Sequence, residues 1–166
     1  MKILLDSTYL IPALNIDITE GWSKQDLLNL IKSDNYDLYY CDLSLFEIYT
    51  KCMKLILQKK LSVRIETIQI GVESILYSPK LRRLDWYEHL SESEIILKLK
   101  ELHNDSIDCM LFSISVVVCD SFATFDSTFI NEIKKSQSIL KWIKDINMDF
   151  SIWMSDLKGE RVSIFK

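Results

Sequence analysis

Residues 119–129 read CDSFATFDSTF, an apolar and aromatic run with the composition of a short buried strand that nonetheless arrives at an acid, Asp126. An unpaired carboxylate in a core is costly, so the run predicts a strand whose end faces something other than core. The N-terminus repeats the pattern in KILLDST, residues 2–8, where an equally apolar run stops at Asp6. Two strands that end in acids point to a site.

The segments between these two runs alternate in period. Strands are expected at 2–6, 36–41 (YDLYYC), 81–86 (LRRLDW), 121–126 (SFATFD) and 150–154 (FSIWM). Helices are expected at 9–13, 24–32, 44–60 with Ser44 as its cap, 62–77, 92–102 and 105–118. The helical spacing is clearest where Leu27, Leu28 and Ile31, and then Ile95, Ile96, Leu99 and Leu102, fall on one face. Strands alternating with helices, the strands apolar almost throughout, predict an α/β fold: a three-layer α/β/α sandwich around a mainly parallel sheet covered on both faces. Right-handed crossovers bring the carboxyl ends of such strands to one edge, and sites form in the crevice beyond it. Asp6 and Asp126 are therefore expected on adjacent central strands, projecting into that crevice rather than into the core.

Composition bounds the answer. A chain of 166 residues with 48% hydrophobic content is expected to form a single domain, 1–166. Cys41, Cys52, Cys109 and Cys119 lack metal-ligand spacing, and Asp6 interrupts the N-terminal apolar run before a signal-peptide core can form. Both features point to a reducing, cytoplasmic setting. The longest apolar run, residues 109–119, falls short of the ~20 residues of a membrane span, so no membrane role is expected. Net charge is −4, which argues against coating nucleic acid. Between Glu47 and Glu66, however, there is no acid, while Lys51, Lys54, Lys59, Lys60 and Arg64 all fall there.

Two further acids can be placed near the crevice. Glu47 lies in the first turn of the helix after YYCD, and Asp108 in the first turn of the helix that feeds SFATFD. Four gathered carboxylates repel unless a cation holds them, and oxygen ligands suit Mg2+ or Mn2+. Each acid also has a structural reading. Ser44 and Glu47 have the spacing of a capping box, Asp108 suits a helix N-terminus, and Glu47 precedes Lys51 by four residues, the favourable ion-pair order. Asp6 and Asp126 have no evident helix-capping role in the sequence.

Taken together, MKILLDSTYLIPAL, SLFEIYTK, SIDCMLFSIS and FATFDSTF resemble the PIN-domain nucleases, including the VapC-type toxins and their archaeal relatives. The resemblance runs from Met1 to about Phe129 and is carried by these four short segments. It implies a metal-dependent endoribonuclease that hydrolyses RNA phosphodiester bonds with one or two ions of Mg2+ or Mn2+. By position it implies Asp6, Glu47, Asp108 and Asp126 as catalytic metal ligands, with Ser7 and Thr124 as supports. An antitoxin protein and a second copy of the chain are the partners it implies besides RNA.

The basic stretch fits that reading. On a helix Glu47, Lys51, Lys54 and Gln58 form one stripe, and Lys51 and Lys54 would lead a phosphate backbone to acids that otherwise repel it. A solvated helix face is the competing account. His89 and His103 have no partner at ligand spacing and are expected at the surface or in caps, and Trp22, Trp86, Trp142 and Trp153 in packing. A haloacid-dehalogenase-type phosphatase would need an acid where Thr8 stands. The stronger rival is a catalytically inactive PIN-like module that binds RNA or protein.

Overall fold

Lys2–Leu5 forms β1, and its side chains alternate between the two faces of the sheet: Ile3 and Leu5 enter one apolar cluster, Leu4 the other. The structure is a computed structural model that describes residues 1–16, 22–154 and 162–164. In chain order β1 is followed by α1 (Ser7–Leu10), a 3-10 turn (Ile11–Leu14), α2 (Lys24–Lys32), β2 (Asp37–Cys41), α3 (Asp42–Leu57), α4 (Ile65–Leu76) and β3 (Leu81–Leu84). After a 3-10 stretch at Trp86–Glu92 come α5 (Ser93–Leu102), α6 (Ser106–Val118), β4 (Ser121–Ala123), α7 (Ser127–Lys135), α8 (Gln137–Ile146), β5 (Ser151–Trp153) and β6 (Val162–Ser163).

The strands pair in the order β3-β2-β1-β4-β5-β6. All pairs are parallel except β5 with β6. The expected three-layer α/β/α architecture with a mainly parallel sheet is what the chain adopts. From β1 the chain builds outward through β2 and β3, then returns to the other side of β1 to lay down β4 and β5. The gap between β1 and β4 is thus the point where the winding reverses, the place where open parallel sheets form their crevice.

Two apolar clusters sandwich the sheet. One gathers Tyr9, Leu10, Leu14, Leu27, Ile48, Ile68 and Ile75 from the first four helices and the 3-10 turn after α1; the other gathers Leu99, Phe112, Phe129, Ile133, Ile139 and Ile143 from the last four helices. Each such side chain stabilises the fold by about 1.5–3 kcal/mol when fully buried. Gly71 on α4 permits one close approach, because a Cβ there would stand 2.7 Å from the Leu14 Cα. No helix among the described residues is long and apolar enough to cross a membrane.

Several boundaries differ from the sequence reading. β4 stops at Ala123, so Asp126 stands three residues beyond the strand and not at its end. Its carboxylate Oδ1 accepts from Phe129 N at 2.8 Å and caps α7. Asp6 likewise caps α1 through Ser7 N, so both acids do have a helix-capping role. The segment 127–149, given no element from sequence, holds α7 and α8. Ser44 is not a cap: α3 begins at Asp42 with Cys41 as its N-cap, and Ser44 is fully buried within the first turn, its Oγ without a partner among the described residues. Glu47 accordingly sits in the second turn of α3.

Candidate metal centre

Asp6 follows β1 directly and is pinned to the neighbouring strand by its own backbone, whose N–H donates to the Ala123 carbonyl at 2.9 Å. Its carboxylate is surrounded by neutral donors. Oδ1 accepts from Ser7 N at 2.6 Å and Ser7 Oγ at 3.3 Å; Oδ2 accepts from Thr8 Oγ1 at 2.9 Å and Thr124 Oγ1 at 3.0 Å. The Thr124 hydroxyl in turn accepts from Asp126 N at 3.0 Å. One hydroxyl thereby joins the segments that carry the two expected acids, and a hydrogen bond of this kind fixes a carboxylate's rotamer.

Asp6 is only 3% exposed, so it belongs to the floor of the crevice and not to an open rim. Burial raises its pKa, the Thr8 hydrogen bond opposes that, and the Glu47 charge adds to the rise.

Glu47 arrives from α3, on one side of the sheet, and Asp108 from the first turn of α6, on the other. Asp105 caps α6 by accepting from Ile107 N at 2.9 Å, and so sets where that turn begins. Asp6, Glu47 and Asp108 can each offer an oxygen such that all three lie within 4.8 Å of one another. Asp108 has its pKa raised to about 7, first by burial, then by the charges of Asp6 and Asp105. Glu47 is 3% exposed. Its Oε1 is held by the Lys51 ammonium, while its buried Oε2 has no hydrogen-bond partner among the described residues.

Asp126 joins a second group, with His103 and again Asp108, whose offered atoms also lie within 4.8 Å of one another. His103 is where the sequence misleads most. It is expected at the surface or in a cap, yet its ring is bonded at both nitrogens, Nε2 to Asp108 Oδ2 at 3.1 Å and Nδ1 to Glu132 Oε2 at 2.9 Å. It also rests on Phe129, ring centroids 4.6 Å apart. Burial lowers the His103 pKa, but the two carboxylates outweigh that and raise it. Thr8 and Glu132 are further members of the site that sequence reasoning misses.

The structure thus gathers all four expected acids, Asp6 and Asp126 in different groups joined through Asp108. An orphaned, buried carboxylate oxygen among ionisable oxygens is a donor set that fits a hard dication. The lysine stripe borders this centre. Thr8, Ile11, Ile16, Lys51, Cys52, Lys54, Leu55 and Gln58 line a cavity of about 420 Å³, Lys54 being exposed and Lys51 engaged with Glu47. Trp22 and Trp153 are buried in packing, as expected.

No family model matches the sequence, and no curated protein matches it either. Solved structures do resemble it. VapC20 of Mycobacterium tuberculosis, a toxin that cleaves the sarcin–ricin loop, aligns with a TM-score of 0.54 at 15% identity, over 76% of this chain and 92% of its own. A chain of VapBC2 from Rickettsia felis, a complex bound to a DNA fragment from its promoter, aligns with a TM-score of 0.54 at 18% identity, over 92% of this chain and 99% of its own. At such identities the likeness establishes the fold alone: this chain shares the PIN-like fold of these chains.

Proposed function

We propose that this protein is a metal-dependent endoribonuclease, with Asp6, Glu47, Asp108 and Asp126 as the acids that hold Mg2+ or Mn2+. The observation that carries the reading is Glu47 Oε2, buried and without a hydrogen-bond partner among the described residues, beside Asp6 and Asp108. A buried acceptor left unsatisfied costs about 1–3 kcal/mol, and a dication is the partner that would satisfy it while cancelling the repulsion of its neighbours. When bound, that ion would supply a nucleophilic water and stabilise charge on the phosphoryl oxygens.

The chain's own residues prepare the site. Ser7, Thr8 and Thr124 hold the Asp6 carboxylate in one orientation. The Lys51 ammonium, seated on Glu47, acts as a stand-in cation that an ion would release toward the cavity it lines with Lys54. There both lysines would hold the RNA backbone. The likeness to VapC20 and VapBC2 supports a toxin role, with an antitoxin protein as partner, a second copy of the chain as a dimer mate and the cytoplasm as location.

The Lys51 contact also favours a second reading, an inactive PIN-like module in which Lys51 is the permanent counter-ion of Glu47 and the surface only binds RNA or protein. Incubation of single-stranded RNA with the purified protein separates the two. Cleavage that needs Mn2+ or Mg2+, stops with chelator and is lost in Asp6→Asn supports the nuclease. Binding without cleavage under all conditions supports the module.

A further inference from the structure

The lysine stripe accounts for a phosphate backbone but not for the cavity behind it. Lys51 and Lys54 line that cavity together with Ile11 and Ile16, from the chain after α1, and with Cys52 and Leu55 on α3. Ile11, Ile16 and Cys52 are each more than nine-tenths buried, so the lysines stand over an apolar floor. A backbone held by ammonium groups needs no such floor. At about 420 Å³ the cavity lies in the range of small-ligand sites, about 300–1,000 Å³, which are apolar with a few placed polar groups.

We propose that this cavity seats one unpaired nucleobase of the RNA beside the phosphate that is cleaved, which makes single-stranded or looped RNA, and not duplex, the substrate of the site. The inference deepens the nuclease reading and rests on it for the cleaved phosphate.

Position, charge and chemistry each favour a base as the occupant. Thr8 and Lys51 line the cavity and also belong to the candidate metal centre, Thr8 as a donor to Asp6 and Lys51 on Glu47. A base seated there is therefore next to the ions. None of the described residues that line the cavity is acidic, although it opens beside a cluster of acids, and its two cations match the phosphates on either side of a base. The polar atoms suit a base edge. Thr8 Oγ1 donates its proton to Asp6 Oδ2, so it has only acceptor capacity left, while the exposed Gln58 can both donate and accept. Extruded bases are held in this manner, their faces against apolar side chains and their edges hydrogen-bonded. In a duplex the bases are stacked and paired, whereas loops and single strands can splay one out.

A short single-stranded RNA carrying 2-aminopurine tests this on the intact protein, with chelator present so that nothing is cleaved. The fluorescence of that base, quenched by stacking within the strand, should rise on binding, and the same strand in a duplex should show no rise. A ribose-phosphate strand of equal length without bases should bind wild type about 10-fold more weakly than the intact strand. Leu55 is half-buried and belongs to neither apolar cluster, so Leu55→Phe fills the cavity from outside the core and should bind the two strands equally. The wild-type comparison stands without that variant. Equal affinity of wild type for both strands, no fluorescence rise, or equal cleavage of strand and duplex in Mn2+ overturns the base seat and leaves the cavity to an apolar side chain of a protein partner. Mn2+-dependent cleavage would still keep the nuclease reading standing in each of those cases. If wild type neither binds nor cleaves the RNA, both fall together.

Discussion

On one side of Asp108 the Asp6 carboxylate sits among a backbone amide and three hydroxyl groups, nearly fully buried, with Glu47 beside it. On the other side Asp126 and His103 are half-buried, and the ring is steadied by a carboxylate and a phenyl face. In the first half neutral donors hold the Asp6 charge in place without cancelling it, and one ammonium, that of Lys51, sits on Glu47. The second half carries a group that can itself become cationic. Burial strains the Asp6 charge until a cation arrives or a proton is taken up, while the second half has in His103 a group that can turn cationic beside its acids. The two halves should therefore respond differently to the same kinds of perturbation.

The largest expected effect is on activity. Asp6→Ala should abolish RNA cleavage and also destabilise the protein, because Ser7 N, Thr8 and Thr124 lose their acceptor at about 1–3 kcal/mol for each donor left buried and unpaired. Asp126→Asn should abolish cleavage while leaving the metal-free fold as stable as wild type or slightly more so, since it removes a repelling charge and keeps the shape of the cap. Urea unfolding beside a cleavage assay checks both. Equal destabilisation by the two substitutions would erase the distinction between the halves.

Thr124→Val is the next largest. It keeps volume but removes the hydroxyl that donates to Asp6 and accepts from Asp126 N. A loss of about 1–3 kcal/mol is expected, and a change within about 0.5 kcal/mol in urea unfolding would show that the hydroxyl couples nothing.

Acidity sharpens the comparison. Asp108, with its pKa near 7, and Asp6 are both raised above their unfolded values, and His103 is raised as well. Each binds more protons folded than unfolded, so its contribution to stability is present on the acid side and is lost as pH rises through the folded value. For Asp108 the window runs from about pH 4 to about pH 7; for His103 the loss falls above pH 6.5. Metal-free protein should melt higher at pH 5 than at pH 8, and saturating Mn2+ should flatten or reverse that trend. Asp34 and Glu94 shift the opposite way, but both are fully exposed ion pairs screened by solvent. A metal-free melting temperature that rises steadily from pH 5 to 8 would contradict the burial argument.

The smallest effect concerns the basic stripe. Lys51→Ala and Lys54→Ala should each weaken RNA binding and lower the slope of log affinity against log salt by about 0.7 for every phosphate of a single strand that is no longer neutralised. An unchanged slope would return Lys54 to the solvent and leave Lys51 as a partner of Glu47 alone.

The sheet is legible in the sequence because KILL and DLYYC are apolar runs that stop at acids, and the order of strands and helices then admits few topologies. That the four acids come near one another is legible for the same reason, since Asp6 ends a strand and Asp108 starts a helix at one edge of a parallel sheet, although Asp126 stands three residues past β4 and Glu47 a turn into α3. The pattern S-x-x-E at Ser44 misleads, because a capping box needs a helix to begin there and β2 passes into α3 two residues earlier. α7 and α8 do leave a trace, in the spacing of Phe129, Ile130 and Ile133 and of Ile139 and Ile143, all of them buried, a signal of the same kind as that of α2 and α5, which the sequence reading passes over. β6, two residues long and antiparallel, is too short to show a period. His103 has no signal in its neighbourhood, since Glu132 lies 29 residues away and only the packing of α7 against the α5–α6 turn unites them.

The account turns on whether the acids on the two sides of Asp108 are gathered for a cation, and thermal melting with and without Mn2+ asks this of the folded protein itself. Wild type should gain about 2.7 kcal/mol when the ion stands at a hundred times its dissociation constant, and Asp126→Asn should gain much less. Identical melting curves for the wild type with chelator and with Mn2+ would contradict the account, and Lys51 would then be the only cation Glu47 needs.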